Sequence, residues 1–206
     1  MAVAIQTLTG STGTGSSITI ATPSGTVSGD LLILHVSYDK GSDVTVTHSA
    51  FTTIRTDTNT SSIGQRLAYR EHDGGSLSTV EFTTNVKWSY NIFRIDGQHD
   101  TASTAVHQNA GANAGSGNPD PPAVMTTLAD CLILAAYSTK TQTTFTPPTG
   151  YTEPSGWDRP NTSDGSPEPG GRNTNMTACW KSDYPAIVIK HGHNLLWEPY
   201  GDAMRA

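Results

Sequence analysis

Two stretches one hundred positions apart read almost alike: GDLLILHVSY from Gly29 to Tyr38, and ADCLILAAYS from Ala129 to Ser138. Asp30 and Asp130 hold the same place before a Leu-Ile-Leu triplet that recurs in register. A short run that is apolar on both faces is what a strand in the middle of a sandwich requires. At the same offset, Phe51 in AFTTI meets Tyr151 in GYTEP. LAYRE at Leu67 to Glu71 matches TACWK at Thr177 to Lys181, and NIFRIDG ending at Gly97 matches AIVIKHG ending at Gly192. Chance reuse of similar strands is the alternative, and the preserved order of the four segments weighs against it. The expected fold is all-β: a two-layer antiparallel β-sandwich, jelly-roll-like, of roughly eight to ten strands and built from two related halves. One half alone is expected to bury too little surface to be stable.

The rest of the chain fits short strands and turns. Gly 20 and Pro 12, with Ser and Thr throughout, punctuate the apolar runs too often for long helices. DVTVTHS alternates, with Val44 and Val46 on one side and Thr45 and Thr47 on the other. In QRLAYREH, Leu67 and Tyr69 share a face opposed to Arg66, Ala68 and Arg70, and in NIFRID, Ile92 and Arg94 oppose Phe93 and Ile95. The organisation read from this pattern is one domain over 1–206. It has a loose N-terminal arm at 1–17, a first half at 18–97, a long Gly-, Ala- and Asn-rich loop at 98–122, a second half at 123–193, and a C-terminal arm or closing strand at 194–206.

Charge narrows the function classes. The net charge of -6 and the thin scatter of 12 basic residues do not suit a nucleic-acid partner, which needs clustered Lys and Arg. No stretch approaches the roughly 18 apolar residues of a membrane span, and MAVAIQTLTGSTGTGSS lacks the positive and apolar regions of a secretory signal. The expectation is a protein made in a cytoplasm without a signal peptide, with no membrane partner. Cys131 and Cys179 match no zinc spacing and are expected as buried free thiols.

Chemistry-bearing motifs are sparse. The chain has no G-x-S-x-G elbow, no Walker A loop, no G-x-G-x-x-G and no H-E-x-x-H, so catalytic residues, cofactors and metals are all expected to be none. His191 and His193 would share one face of a strand but bring no local acidic or Cys partner. Among the aromatic residues, Trp157 lies in the polar insertion SGWDRPNTSDGSPEPGG and is the best candidate for stacking on a sugar ring; Trp88, Tyr90, Tyr137 and Trp180 sit in strand patterns and read as core. The two arms offer the candidate partner-binding residues: Ile5 and Leu8 at the N-terminus, and Leu195, Leu196, Trp197 and Tyr200 at the C-terminus.

TPSGTVSGDLLILHVS, LAYREHDGG and WSYNIFRIDGQHD together resemble a widespread family of bacteriophage virion proteins. In that family a Gly-Asp-Leu-Leu strand opens the domain, a Gly-Tyr/Trp-Thr turn and a Tyr-Arg strand follow, and an Arg-x-x-Gly strand precedes a polar loop. The matching positions are Gly29 to Leu32, Gly150 to Thr152 in the second half, Tyr69 and Arg70, and Arg94 to Gly97; in the first half Ala50 stands where the family has its turn glycine. The resemblance spans roughly residues 20 to 192 and implies a jelly-roll structural protein of a phage particle with no catalytic residues. The expectation is a capsid decoration (cement) protein on the outer capsid surface that bridges major capsid protein subunits as a trimer. The alternative is a tail fibre or baseplate module that binds host-surface carbohydrate through Trp157 and the loops at 97–122 and 155–173.

Overall fold

The computed structural model describes residues 4–96, 106, 108–111, 131–140, 147, 150–153, 157, 175–184 and 188–193. The fold is all-β, with one 3-10 turn at Gly41–Asp43. Six strands form the main sheet: β1 (Ala4–Thr19), β2 (Leu31–Asp39), β3 (Val46–His48), β4 (Thr52–Asn59), β5 (Ile63–Glu71) and β6 (Thr79–Asp96). Their order is β1-β6-β2-β5-β4, with β3 added beside β6. Four more strands form the second sheet in the order β7-β10-β8-β9: β7 (Gln108–Gly111), β8 (Cys131–Thr139), β9 (Asn175–Tyr184) and β10 (Val188–His193).

Strand β2 organises the molecule because all nine of its residues are buried. Its even positions, Leu32, Leu34, Val36 and Tyr38, join a first core with Ala68, Tyr90 and Ile92. Its odd positions Leu31 and Ile33 join a second core with Leu67, Phe93 and Ile95. The cover over the first core comes from the same stretch of chain. The 18-residue β6 outruns its pairing with β2, and its first half (Val80, Phe82, Val86) closes over the even face with Val46, Ile18 and Ile20. The second core is closed by the other sheet, through Leu132, Leu134 and Ala136 of β8 together with Trp157. Each buried Leu or Ile contributes about 1.5–3 kcal/mol relative to exposure, so both faces of β2 hold the fold together.

Four sequence expectations change. The N-terminal arm is a strand: β1 runs unbroken into the segment read as SITIATP and pairs with β6 from Ala4↔Asp96 to Thr19↔Thr79. Alternation over residues 4–19 is weak because the strand lies at the sheet edge and is mostly half-buried on both faces. A strand, β7, falls inside the 98–122 loop, whose residues other than Val106 and Gln108–Gly111 lie outside the described set. The second sheet is mixed, since β10 runs parallel to both β7 and β8. Finally, among the described residues the first core draws only on residues between Ile18 and Ile92, so the first half has an interior of its own.

The matched segments of the two halves occupy comparable places only in part. Strands β2 and β8 lie at the same offset of one hundred, are both central, and pair antiparallel with β5 and β9, which contain the matched LAYRE and TACWK. The third match differs, because β6 is antiparallel to β2 whereas β10 is parallel to β8.

Candidate functional site

Three of the four motif segments behind the resemblance converge at one end of the main sheet, while the fourth, Gly150 to Thr152, sets Tyr151 against Ala135 and Tyr137 of β8. Gly29 takes φ 93°, a left-handed conformation that costs glycine little, and turns the chain into β2. Its N–H donates to the His72 carbonyl at 2.8 Å, and the His72 N–H donates back to the Asp30 carbonyl at 2.8 Å. The Asp30 carboxylate accepts from the Val27 N–H at 2.7 Å and from Arg94 Nε at 2.6 Å. With side chains only 10% and 19% exposed, Asp30 and Arg94 form an ion pair with little access to water. In the ladder Leu32 lies between Arg70 and Arg94, so the Gly-Asp-Leu-Leu, Tyr-Arg and Arg-x-x-Gly segments share one cross-strand row. Arg70 pairs with Asp73 at 2.6 Å, and Asp73 also accepts from the Gly75 N–H at 3.0 Å. That backbone bond first, and then Arg70, hold the Asp73 carboxyl below the usual carboxylate range. The chemistry of this end is that of a clasp: charges satisfied by each other and by backbone fix two turns to the sheet.

A second polar group lies between the sheets, where sequence reading anticipated none. His35, Ser37, Gln65, Ser89, Asn91, Ser138 and Thr139 have no exposed surface. His35 Nε2 lies 3.1 Å from Gln65 Oε1 and 3.3 Å from Ser138 Oγ, which ties β2 to β5 and to the second sheet. Asn91 Nδ2 donates to the Trp157 carbonyl at 2.9 Å. At the rim Arg55 binds both carboxylate oxygens of Asp57 at 2.7 Å and donates to the Gly111 carbonyl of β7 at 3.4 Å. The signal was present as period two: His35, Ser37 and Asp39 alternate with Val36 and Tyr38, and Ser89 and Asn91 alternate with Tyr90 and Ile92. It was masked because the apolar start of β2 set the reading of the whole strand.

The expected binding residues are placed differently from expectation. Ile5 and Leu8 are not on an arm but in β1, half-buried against the second core. They are three apart yet share a face, because Gln6 forms a bulge between Ile5↔Ile95 and Leu8↔Phe93. Trp157 is 4% exposed, and its indole meets the Phe93 ring edge-on at 4.9 Å. It therefore packs as core and presents no open face to a sugar, which removes the stacking role expected for it. Tyr90 and Tyr137 are buried as expected, and Trp88 lies over Gly13 of the neighbouring strand. Leu195, Leu196, Trp197 and Tyr200 lie outside the described residues.

His191 and His193 stand in β10, beside Ala136 and Ser138 of β8. Among the described residues no group of three His, Cys, Asp or Glu comes together as a metal site. Cys179 pairs with Ala135 and Cys131 with Tyr184, four positions apart along β8. At about 3.3 Å per residue that is roughly 13 Å, beyond the reach of a disulfide between them. No described helix is long and apolar enough to cross a membrane.

The chain matches no family model, no curated protein and no solved structure.

Proposed function

We propose that this chain is a non-enzymatic structural protein of a bacteriophage particle, a capsid decoration protein that binds the major capsid protein on the outer surface of the shell. The observation that carries the reading is the clasp at Asp30 and Arg94, where three of the four separated motifs of the virion-like pattern meet in one row. A pattern whose members touch is better evidence of a shared scaffold than the same residues scattered over the molecule. The jelly-roll relation and the kinship of the two halves belong to the same proposal. A protein that binds the assembled shell and not its dissociated subunits stabilises it by mass action, and many copies add their effects. The acidic charge of -6 suits a position away from packaged DNA.

The tail-fibre alternative uses Trp157 and the loops at 97–122 and 155–173; Trp157 is in the core, and those loops lie outside the described residues apart from 106, 108–111 and 157. Purified virions and tail-stripped capsids, compared by denaturing gel and mass spectrometry, test the reading. Retention on capsids in copy number comparable to the shell subunit is the expected result. Departure with the tails in a few dozen copies would overturn it.

A further inference from the structure

Strand β1 forms one edge of the main sheet, with β6 on one side and no strand on the other among the described residues. From Ala4 to Thr19 it contains no charged residue and no proline. Edges of this kind recruit other strands unless they are short, charged, bulged or covered. The other edges among the described strands carry those protections. Strand β4 bears Arg55 and Asp57 and has a bulge at Ile54; β9 bears Lys181 and Asp183; β7 is four residues long. Among the described edges β1 is the one that is both long and uncharged, and its own bulges, at Gln6 and Ser16, leave an unbulged run from Thr7 to Gly15.

We infer that the outer edge of β1, over the regular stretch Thr7 to Thr12 beyond the Gln6 bulge, pairs antiparallel with the same segment of a second copy of this chain. Three observations favour self-pairing over a foreign strand. The segment is neutral in a chain of net charge -6, so two copies meet here without the repulsion that their surfaces otherwise exert. Thr7, Thr9 and Ser11 alternate along one face, and hydroxyl side chains of this type pair well with their own kind across strands. Ile5 and Leu8 sit against the second core while remaining partly open, so a second β1 would extend that core across the pair. Pairing of an edge with itself is two-fold, which replaces the threefold arrangement expected from the resemblance by a dimer. The inference does not rest on the virion reading.

The test is sedimentation of the full chain over a concentration series, beside Gln6→Lys/Ser11→Lys and Gln6→Glu/Ser11→Glu. Both positions are exposed, so the changes leave the monomer's packing alone. The wild-type chain is expected to be a dimer, each charged variant a monomer, and an equal mixture of the two variants a dimer again. A wild-type monomer at every concentration, a trimer, or a lysine variant that stays dimeric would overturn the inference. Amide exchange over residues 7–12 of the wild-type chain gives a check that needs no variant. Protection that grows with dimer mass is expected; protection in a chain that sediments as a monomer would mean the chain covers its own edge, and would also overturn it.

Discussion

At the scale of single residues, charges and one half-buried imidazole set the sharpest expectations. Removing the charge of one partner of the Asp30–Arg94 pair leaves the other charge poorly solvated. Asp30→Asn should therefore cost about 1–3 kcal/mol in urea unfolding, and a double-mutant cycle with Arg94→Gln should show coupling. His48 supplies a pH dependence. Burial first, and then the Arg66 guanidinium, push its imidazole below the ordinary value of 6.5, with some opposition from backbone hydrogen bonds. The folded state thus binds this proton less readily than the unfolded chain. The stability His48 contributes is fully present above about pH 6.5 and is lost as pH falls through 6.5 toward the lowered folded value. Urea midpoints measured between about pH 5 and pH 8 should fall toward the acid end for the wild type and less steeply for His48→Gln. Gly64 is a different kind of constraint. A Cβ there would collide with the ring of the buried Tyr38, so Gly64→Ala should destabilise the fold by about 1–3 kcal/mol.

At the scale of elements, β1 and β2 behave differently from their sequence appearance. Strand β1 is built of Gly, Ser and Thr that suggest a flexible tail, yet it is held by a long ladder to β6 and by Ile5 and Leu8 against the second core. Deleting residues 1–17 should therefore lower the melting temperature and solubility of the whole chain, not merely abolish attachment to a partner. A truncated chain that melts like the full one would refute this assignment. Strand β2 is central because the apolar residues at its start serve two cores, while His35 and Ser37 further along place polar groups between the sheets. His35→Ala leaves Gln65 and Ser138 without a ring partner in a fully buried interface. A loss of about 2–4 kcal/mol is expected, with near-UV dichroism reporting looser packing around Trp157.

At the scale of the whole molecule, the two cores are unequal in their dependence on the rest of the chain. Among the described residues the first draws only on Ile18 to Ile92, whereas the second includes Leu132, Leu134, Ala136 and Trp157. A fragment of residues 1–96 should unfold cooperatively in urea but bind a hydrophobic dye strongly, because the face with Leu31, Ile33, Leu67, Phe93 and Ile95 would be uncovered. A fragment without a cooperative transition would show that the second sheet is required for the first core.

The all-β class was legible from the chain because period-two alternation and turn residues are local properties. So were the opposed faces of Val44/Thr45, Leu67/Ala68 and Ile92/Phe93, each of which the structure buries or exposes as the alternation requires. Tertiary structure decided what alternation cannot encode. Register and layer order depend on which distant strand supplies the cover, so the folding of β6 over its own sheet, the edge position of β1 and the parallel direction of β10 had no local mark. Trp157 shows the same limit in one residue. Its neighbours in sequence are polar, but burial is set by the neighbours in space, and there Phe93 and the second core take the indole out of water.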